Sequence, residues 1–123
     1  MKIYRCEICK NVVVKLFDGG GVLNCCGNPM GELKAGITDA AREKHLPALT
    51  LEGDTLTAQV GEIIHPMTAE HYIQFILAVQ EDQVQYQILS PEKEPKAVFK
   101  IQPGKPVSVY EHCNLHGLWK ADI

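Results

Sequence analysis

At 123 residues, 46% hydrophobic and 22% charged, the chain is long enough for one ordinary domain, or for a small one joined to a medium one, and apolar enough to bury a core. Its net charge of -3 gives no whole-protein attraction for nucleic acid, and no apolar run approaches the ~20 residues of a membrane-spanning helix, so neither is an expected partner. The start Met1-Lys2-Ile3-Tyr4-Arg5-Cys6 lacks the apolar core of a signal peptide, which makes the cytoplasm the expected compartment; there, thiols stay reduced and serve as ligands or reactive groups.

The first segment holds Cys6 and Cys9 in a Cys-x-x-Cys step, then Val12-Val13-Val14-Lys15-Leu16, a turn at Gly19-Gly20-Gly21, and Cys25 beside Cys26. Adjacent α-carbons lie about 3.8 Å apart, closer than the ~4.4 Å a disulfide usually needs, so a tetrahedral tetrathiolate site accounts better for the four sulfurs. Zinc and a single iron both suit such a site, and the spacing alone does not choose between them. Residues 1 to about 36 are too few for a self-sufficient core, so a metal would supply folding energy that packing cannot.

Beyond Gly36 the pattern changes. Thr38 to His45 reads as a short helical turn or loop with an N-cap at Thr38 or Asp39, ending before Pro47, and marks the junction between domains 1–36 and 37–123. Leu49-Thr50-Leu51-Glu52 and Thr55 to Val60 flank Gly53-Asp54 as a hairpin. Tyr72 to Val79 and Gln83 to Leu89 flank Glu81-Asp82 as another; Val84, Tyr86 and Ile88 alternate with Gln83, Gln85 and Gln87, which predicts an apolar buried face and a polar wet one. Ala97 to Ile101, Pro106 to Glu111 and Leu118 to Ile123 complete about seven short strands. The expected class is all-β: a small metal-binding module followed by an immunoglobulin-like antiparallel β-sandwich.

Three histidines sit in loops punctuated by proline or glycine: His45 ahead of Leu46-Pro47, His65 before Pro66-Met67, and His116 before Gly117. Loops are where a rigid sandwich carries chemistry. His71 follows His65 by six residues, about 20 Å along a strand, so a shared metal requires residues 66–70 to wrap around it. Cys113-Asn114-Leu115-His116-Gly117 lets one short turn aim a thiol and an imidazole at a common point. Taken singly, each of these residues also fits an ordinary structural role. If Tyr110 to Cys113 is a strand, His112 points away from Cys113 and is a poor ligand candidate.

Glu43-Lys44-His45-Leu46-Pro47, His65-Pro66-Met67 with His71-Tyr72-Ile73, and Cys113-Asn114-Leu115-His116-Gly117-Leu118-Trp119 resemble the three metal-binding motifs of the desulfoferrodoxins, two-iron superoxide reductases. The opening Cys6/Cys9/Cys25/Cys26 pattern resembles that family's desulforedoxin-like module, so the resemblance spans essentially the whole chain. It implies one iron bound by Cys6, Cys9, Cys25 and Cys26. It implies a second, catalytic iron held by His45, His65, His71 and His116 in a plane, with Cys113 as axial thiolate. Position 112 is histidine, where the family pattern leads one to expect a bulky aromatic or a small residue.

Under that resemblance the expected activity is one-electron reduction of superoxide to hydrogen peroxide. Four imidazoles and a thiolate fill five octahedral positions and leave one open for substrate. Lys44 is the candidate for attracting the anion and positioning a proton-delivering water, and Glu43 the candidate carboxylate ligand of the oxidised metal. A rubredoxin-like donor and a homodimer are also implied. Two other readings compete: a pure electron-transfer iron protein, and a zinc-stabilised structural or interaction module.

Overall fold

The structure is a computed structural model that describes residues 1–36 and 42–123, with the backbone alone at 42 and 43. The expected N-cap at Thr38 or Asp39 and the side chain of Glu43 lie outside the described residues. The chain divides into two compact units, Met1–Lys34 and Ala35–Ile123.

In the first unit the central strand β1 (Lys2–Arg5) pairs antiparallel with β2 (Val12–Lys15) and later with β5 (Gly31–Glu32); β3 (Asn24–Cys25) and β4 (Asn28–Pro29) form a minimal hairpin between them. Its interior is thin. Ile3 and Cys6 are buried, whereas Ile8, Leu16, Phe17 and Val22 are exposed. Such a unit buries too little apolar surface to offset the entropy of ordering its loops, as its length predicts.

The second unit is a sandwich of seven strands. After a helical turn α1 (Arg42–His45), β6 (Pro47–Glu52), β7 (Thr55–Val60) and β10 (Lys96–Lys100) form a sheet in the order β10-β7-β6. The strands β8 (Ile73–Gln80), β9 (Gln83–Ile88), β11 (Ser108–Cys113) and β12 (Gly117–Asp122) form a sheet in the order β12-β11-β8-β9. All pairings are antiparallel, and both predicted hairpins form on two-residue turns: Glu52 pairs with Thr55, and Gln80 with Gln83. In the second turn Glu81 adopts a left-handed φ of 52°, as two-residue hairpins require. Leu56, Ala58, Val60, Ile76, Ala78, Phe99 and Val109 close the core between the sheets, with Cys113 at one end of it.

One sequence-based expectation is reversed. Val84, Tyr86 and Ile88 do share a face of β9, but Tyr86 is 67% and Ile88 59% exposed. The register explains it: core-facing Ile76 and Ala78 stand opposite Gln87 and Gln85, so the face of β9 that carries Gln85, not the one that carries Tyr86, turns towards the sheet β10-β7-β6. There the Gln85 amide donates to the Lys100 carbonyl at 2.6 Å. As an edge strand paired only with β8, β9 carries its apolar row outwards.

Candidate metal centres

The first centre is made by two tight turns. After β1 the chain turns through Cys6 to Lys10, with Lys10 N donating to Cys6 O and Cys6 N to Asn11 O, both at 2.9 Å. That turn directs the Cys9 backbone N–H at the Cys6 sulfur, 3.5 Å away. The second turn brings in Cys25 and Cys26, which reach the same point because Cys26 takes a left-handed φ of 52°. Cys9 and Cys25 sulfurs stand 3.5 Å apart, Cys25 and Cys26 3.9 Å, and all four lie within 4.8 Å of one another. A tetrahedron with ~2.3 Å metal–sulfur bonds has edges of about 3.8 Å, so the cluster has the dimensions of a tetrathiolate site.

The acid–base chemistry of the four thiols agrees. The Cys9 N–H, foremost among several donors, lowers the Cys6 thiol to about 6. Crowding by the sulfurs of Cys9, Cys6 and Cys25 pushes Cys26 up to about 12 and raises Cys25 as well. Four thiolates so close repel one another, and a cation at their centre is what allows all four protons to leave. The Asn11 side-chain amide, 3.8 Å from the Cys25 sulfur, is a further donor that the cysteine spacing did not disclose.

The second centre lies at the end of the sandwich core. His45 closes α1, His65 sits in the loop after β7, His71 precedes β8, Cys113 ends β11, and His116 lies in the β11–β12 turn. Their ligand atoms all fall within 4.8 Å of one another. The imidazoles stand at the corners of a square. Neighbouring ring centroids are 4.7 Å apart for His45–His65, 4.6 Å for His65–His71, 5.0 Å for His71–His116 and 4.8 Å for His116–His45, with planes crossed at 75° to 89°. The diagonal His45–His71 is 6.5 Å. His45 Nε2 is 3.1 Å from both His65 Nε2 and His116 Nδ1. Adjacent nitrogens on a metal with ~2.1 Å bonds in a square plane are about 3.0 Å apart, so the spacing fits a metal.

Protonation supports that fit. His71 Nε2 is buried without a hydrogen-bond partner, which is costly unless a cation accepts its lone pair. His65 donates from Nδ1 to its neighbour Pro66 O at 2.7 Å, leaving Nε2 as the lone-pair nitrogen. Burial, foremost, lowers His65 to about 4 and also lowers His71, with the charge of Lys44 a lesser contributor at His71. Both rings are therefore neutral and available as ligands at neutral pH. The Cys113 thiol is raised by burial, opposed by the backbone N–H groups of Leu115 and His116, so an ionised sulfur there requires a cation beside it.

The surrounding residues fix this geometry. Residues 66–70 do wrap: Thr68 N donates to His71 O at 2.9 Å and His71 N to Thr68 Oγ1 at 3.2 Å. Asn114 ties the Cys113–His116 turn to the same segment, accepting from Tyr72 N at 2.9 Å and donating to Glu70 O at 3.0 Å. Gly117, with φ 77°, supplies the chain reversal after His116. Trp119, fully buried, stacks on His45 at 4.9 Å and 23°, and donates its indole N–H to His116 O at 3.1 Å. His112 lies outside the cluster, stacked on Phe75 at 5.6 Å with Nδ1 2.8 Å from Gln74 Oε1. Lys44 is exposed beside His45.

Glu111 carries no motif that marks it out, yet its carboxyl is fully buried with neither oxygen hydrogen-bonded. Burial raises it well above the usual carboxylate range, two residues before Cys113.

Comparison with known proteins matches the sequence profile of Desulfoferrodoxin to residues 37–122 and that of the Desulfoferrodoxin N-terminal domain to residues 1–33. The chain belongs to the desulfoferrodoxin family. A desulfoferrodoxin of Syntrophotalea carbinolica is 42% identical over 122 residues, 99% of this chain and 96% of that one. A superoxide reductase of Pyrococcus horikoshii is 35% identical, aligned over 66% of this chain and 86% of its own. Among solved structures, the superoxide reductase of Treponema pallidum superposes with a TM-score of 0.78 at 28% identity, covering 98% of this chain and 97% of its own. The desulfoferrodoxin pattern is complete here in all nine proposed ligands, four in the first unit and five in the second.

Proposed function

We propose that the chain is a two-iron superoxide reductase: it reduces superoxide by one electron to hydrogen peroxide at the centre formed by His45, His65, His71, His116 and Cys113. The carrying observation is the square of four imidazoles with one buried thiol beside it, a donor set that would fill five positions of an octahedral metal and leave one for substrate. Iron held by these five residues would supply the electron from its ferrous state, and the Cys113 thiolate would raise its electron density.

The protein's own groups do the rest. Lys44, an exposed cation adjoining a ligand, draws in the anionic substrate and orients the water that hands over the two protons that hydrogen peroxide requires. Glu43 would supply a carboxylate ligand to the oxidised iron. The Leu115 and His116 N–H groups hold the sulfur's charge, and Trp119 holds the His45 ring and keeps water from that side.

Residues 1–36 form the module that binds the other iron through Cys6, Cys9, Cys25 and Cys26, and residues 37–123 the catalytic domain. A small redox protein of the rubredoxin kind supplies electrons in the cytoplasm. The working form is a homodimer, for which the outward Tyr86 and Ile88 offer apolar surface. Pulse radiolysis of the ferrous protein tests the reading: superoxide should oxidise the second centre and give peroxide without dioxygen. Dioxygen release would indicate dismutation, and a ferrous centre that survived the pulse would leave electron transfer alone.

A further inference from the structure

We infer that Gly61 is a positioning residue for the second metal centre: its missing side chain lets the loop carrying His65 lie directly against the Lys44–His45 backbone. That contact sets the spacing of two imidazole ligands and the place of Lys44. The inference about Lys44 rests on the superoxide chemistry proposed above; the inference about His45 and His65 does not.

Gly61 follows the last residue of β7 and has a φ of +83°. A methyl group built there would stand 2.7 Å from Lys44 O and 2.9 Å from Lys44 C, and would also press on Ile63 O. All three obstacles are backbone atoms, so no side chain can swing aside. Ordinary carbon–oxygen approaches are about 3.3 Å, so one of the two segments would have to move by roughly half an ångström or more. Metal sites tolerate about 0.2 Å in ligand distances.

The two segments in question are the ones that carry ligands. Gly61 N donates to Leu46 O at 3.0 Å, one residue after His45, and His65 N donates to Val60 O, one residue before Gly61. Between them stand His45 Nε2 and His65 Nε2, 3.1 Å apart. The glycine is thus the hinge point from which one side of the imidazole square is measured. Elsewhere the chain uses positive φ without such crowding: Gly104 has φ +81° and no atom within 4 Å of a built methyl group.

The test compares Gly61→Ala with Gly104→Ala, which carries the same backbone strain in open space. Ferrous iron is titrated into each metal-free protein. Gly61→Ala should bind iron at the second centre about tenfold to a hundredfold more weakly, the range lost when groups that orient metal ligands are disturbed. Its thiolate-to-iron absorption band after oxidation should shift, while the tetrathiolate spectrum stays unchanged. The bimolecular rate with superoxide should fall as well. Gly104→Ala should match the unsubstituted protein in all three readouts. Wild-type iron affinity and band in Gly61→Ala would overturn the inference, whereas a loss of rate on superoxide in neither protein because neither reacts would overturn only the functional reading. Should Gly61→Ala fail to fold, amide exchange in the unsubstituted metal-free protein decides: a protected Gly61 N–H supports the preformed contact, and exchange at the rate of an open loop refutes it.

Discussion

The two halves of the molecule reach a metal site by opposite routes. In Met1–Lys34 the four sulfurs come from within 21 residues of sequence, two of them, Cys9 and Cys26, are exposed, and little apolar surface lies behind them. In Ala35–Ile123 the five ligands are drawn from positions 45 to 116, and the sheets that hold them close a continuous core. The difference separates cause from consequence: in the first unit the metal organises the fold, and in the second the fold organises the metal.

Chelation should break this contrast most visibly. Structural metal sites in small peptides contribute on the order of 10 kcal/mol, so metal removal should abolish the ordered strands of residues 1–34 while the sandwich still melts cooperatively; amide exchange followed residue by residue reads both at once. A cooperative loss of both units together would collapse the distinction. Next in size is Cys113→Ser, which should abolish the thiolate-to-iron band of the second centre and leave the tetrathiolate spectrum intact. Persistence of that band would remove Cys113 as the axial ligand. Lys44→Ala should leave both spectra unchanged and slow the bimolecular step with superoxide by about tenfold, with a weaker dependence on ionic strength, as expected for loss of one steering charge.

The smallest effect belongs to the surface of the first unit. Asp18 is held below the usual carboxylate range by the Gly20 N–H first and then by Lys15. A carboxylate with a depressed folded value adds stability that is present above its ordinary value of 3.8 and disappears as pH falls through the folded value. Asp18→Asn should therefore lower the unit's melting temperature slightly at neutral pH, and the difference should vanish in strong acid.

What the sequence disclosed follows the same division. The four cysteines of the first unit were legible from their spacing, whereas the five ligands of the second were legible only through the resemblance of three separated motifs to the desulfoferrodoxins, since each histidine taken singly also fits a structural role. The strands were legible from alternation, but alternation is symmetric between two faces, and on β9 only the register with β8 decides that Gln85 looks inwards and Tyr86 outwards. Gly61 was opaque for a related reason: its necessity arises from the Lys44 carbonyl, which the sandwich brings alongside from 17 positions away. Glu111 reads as an ordinary strand carboxylate until the sheets close over it.

The square of crossed imidazoles carries a mechanical consequence. Three of its four sides, His45–His65, His71–His116 and His116–His45, join chain segments at least 20 residues apart. No single loop can carry its imidazole away without prying open two sides of the ring, each braced by a different strand end. The spacing of the four rings is thus set by the topology of the sandwich itself, before any metal arrives.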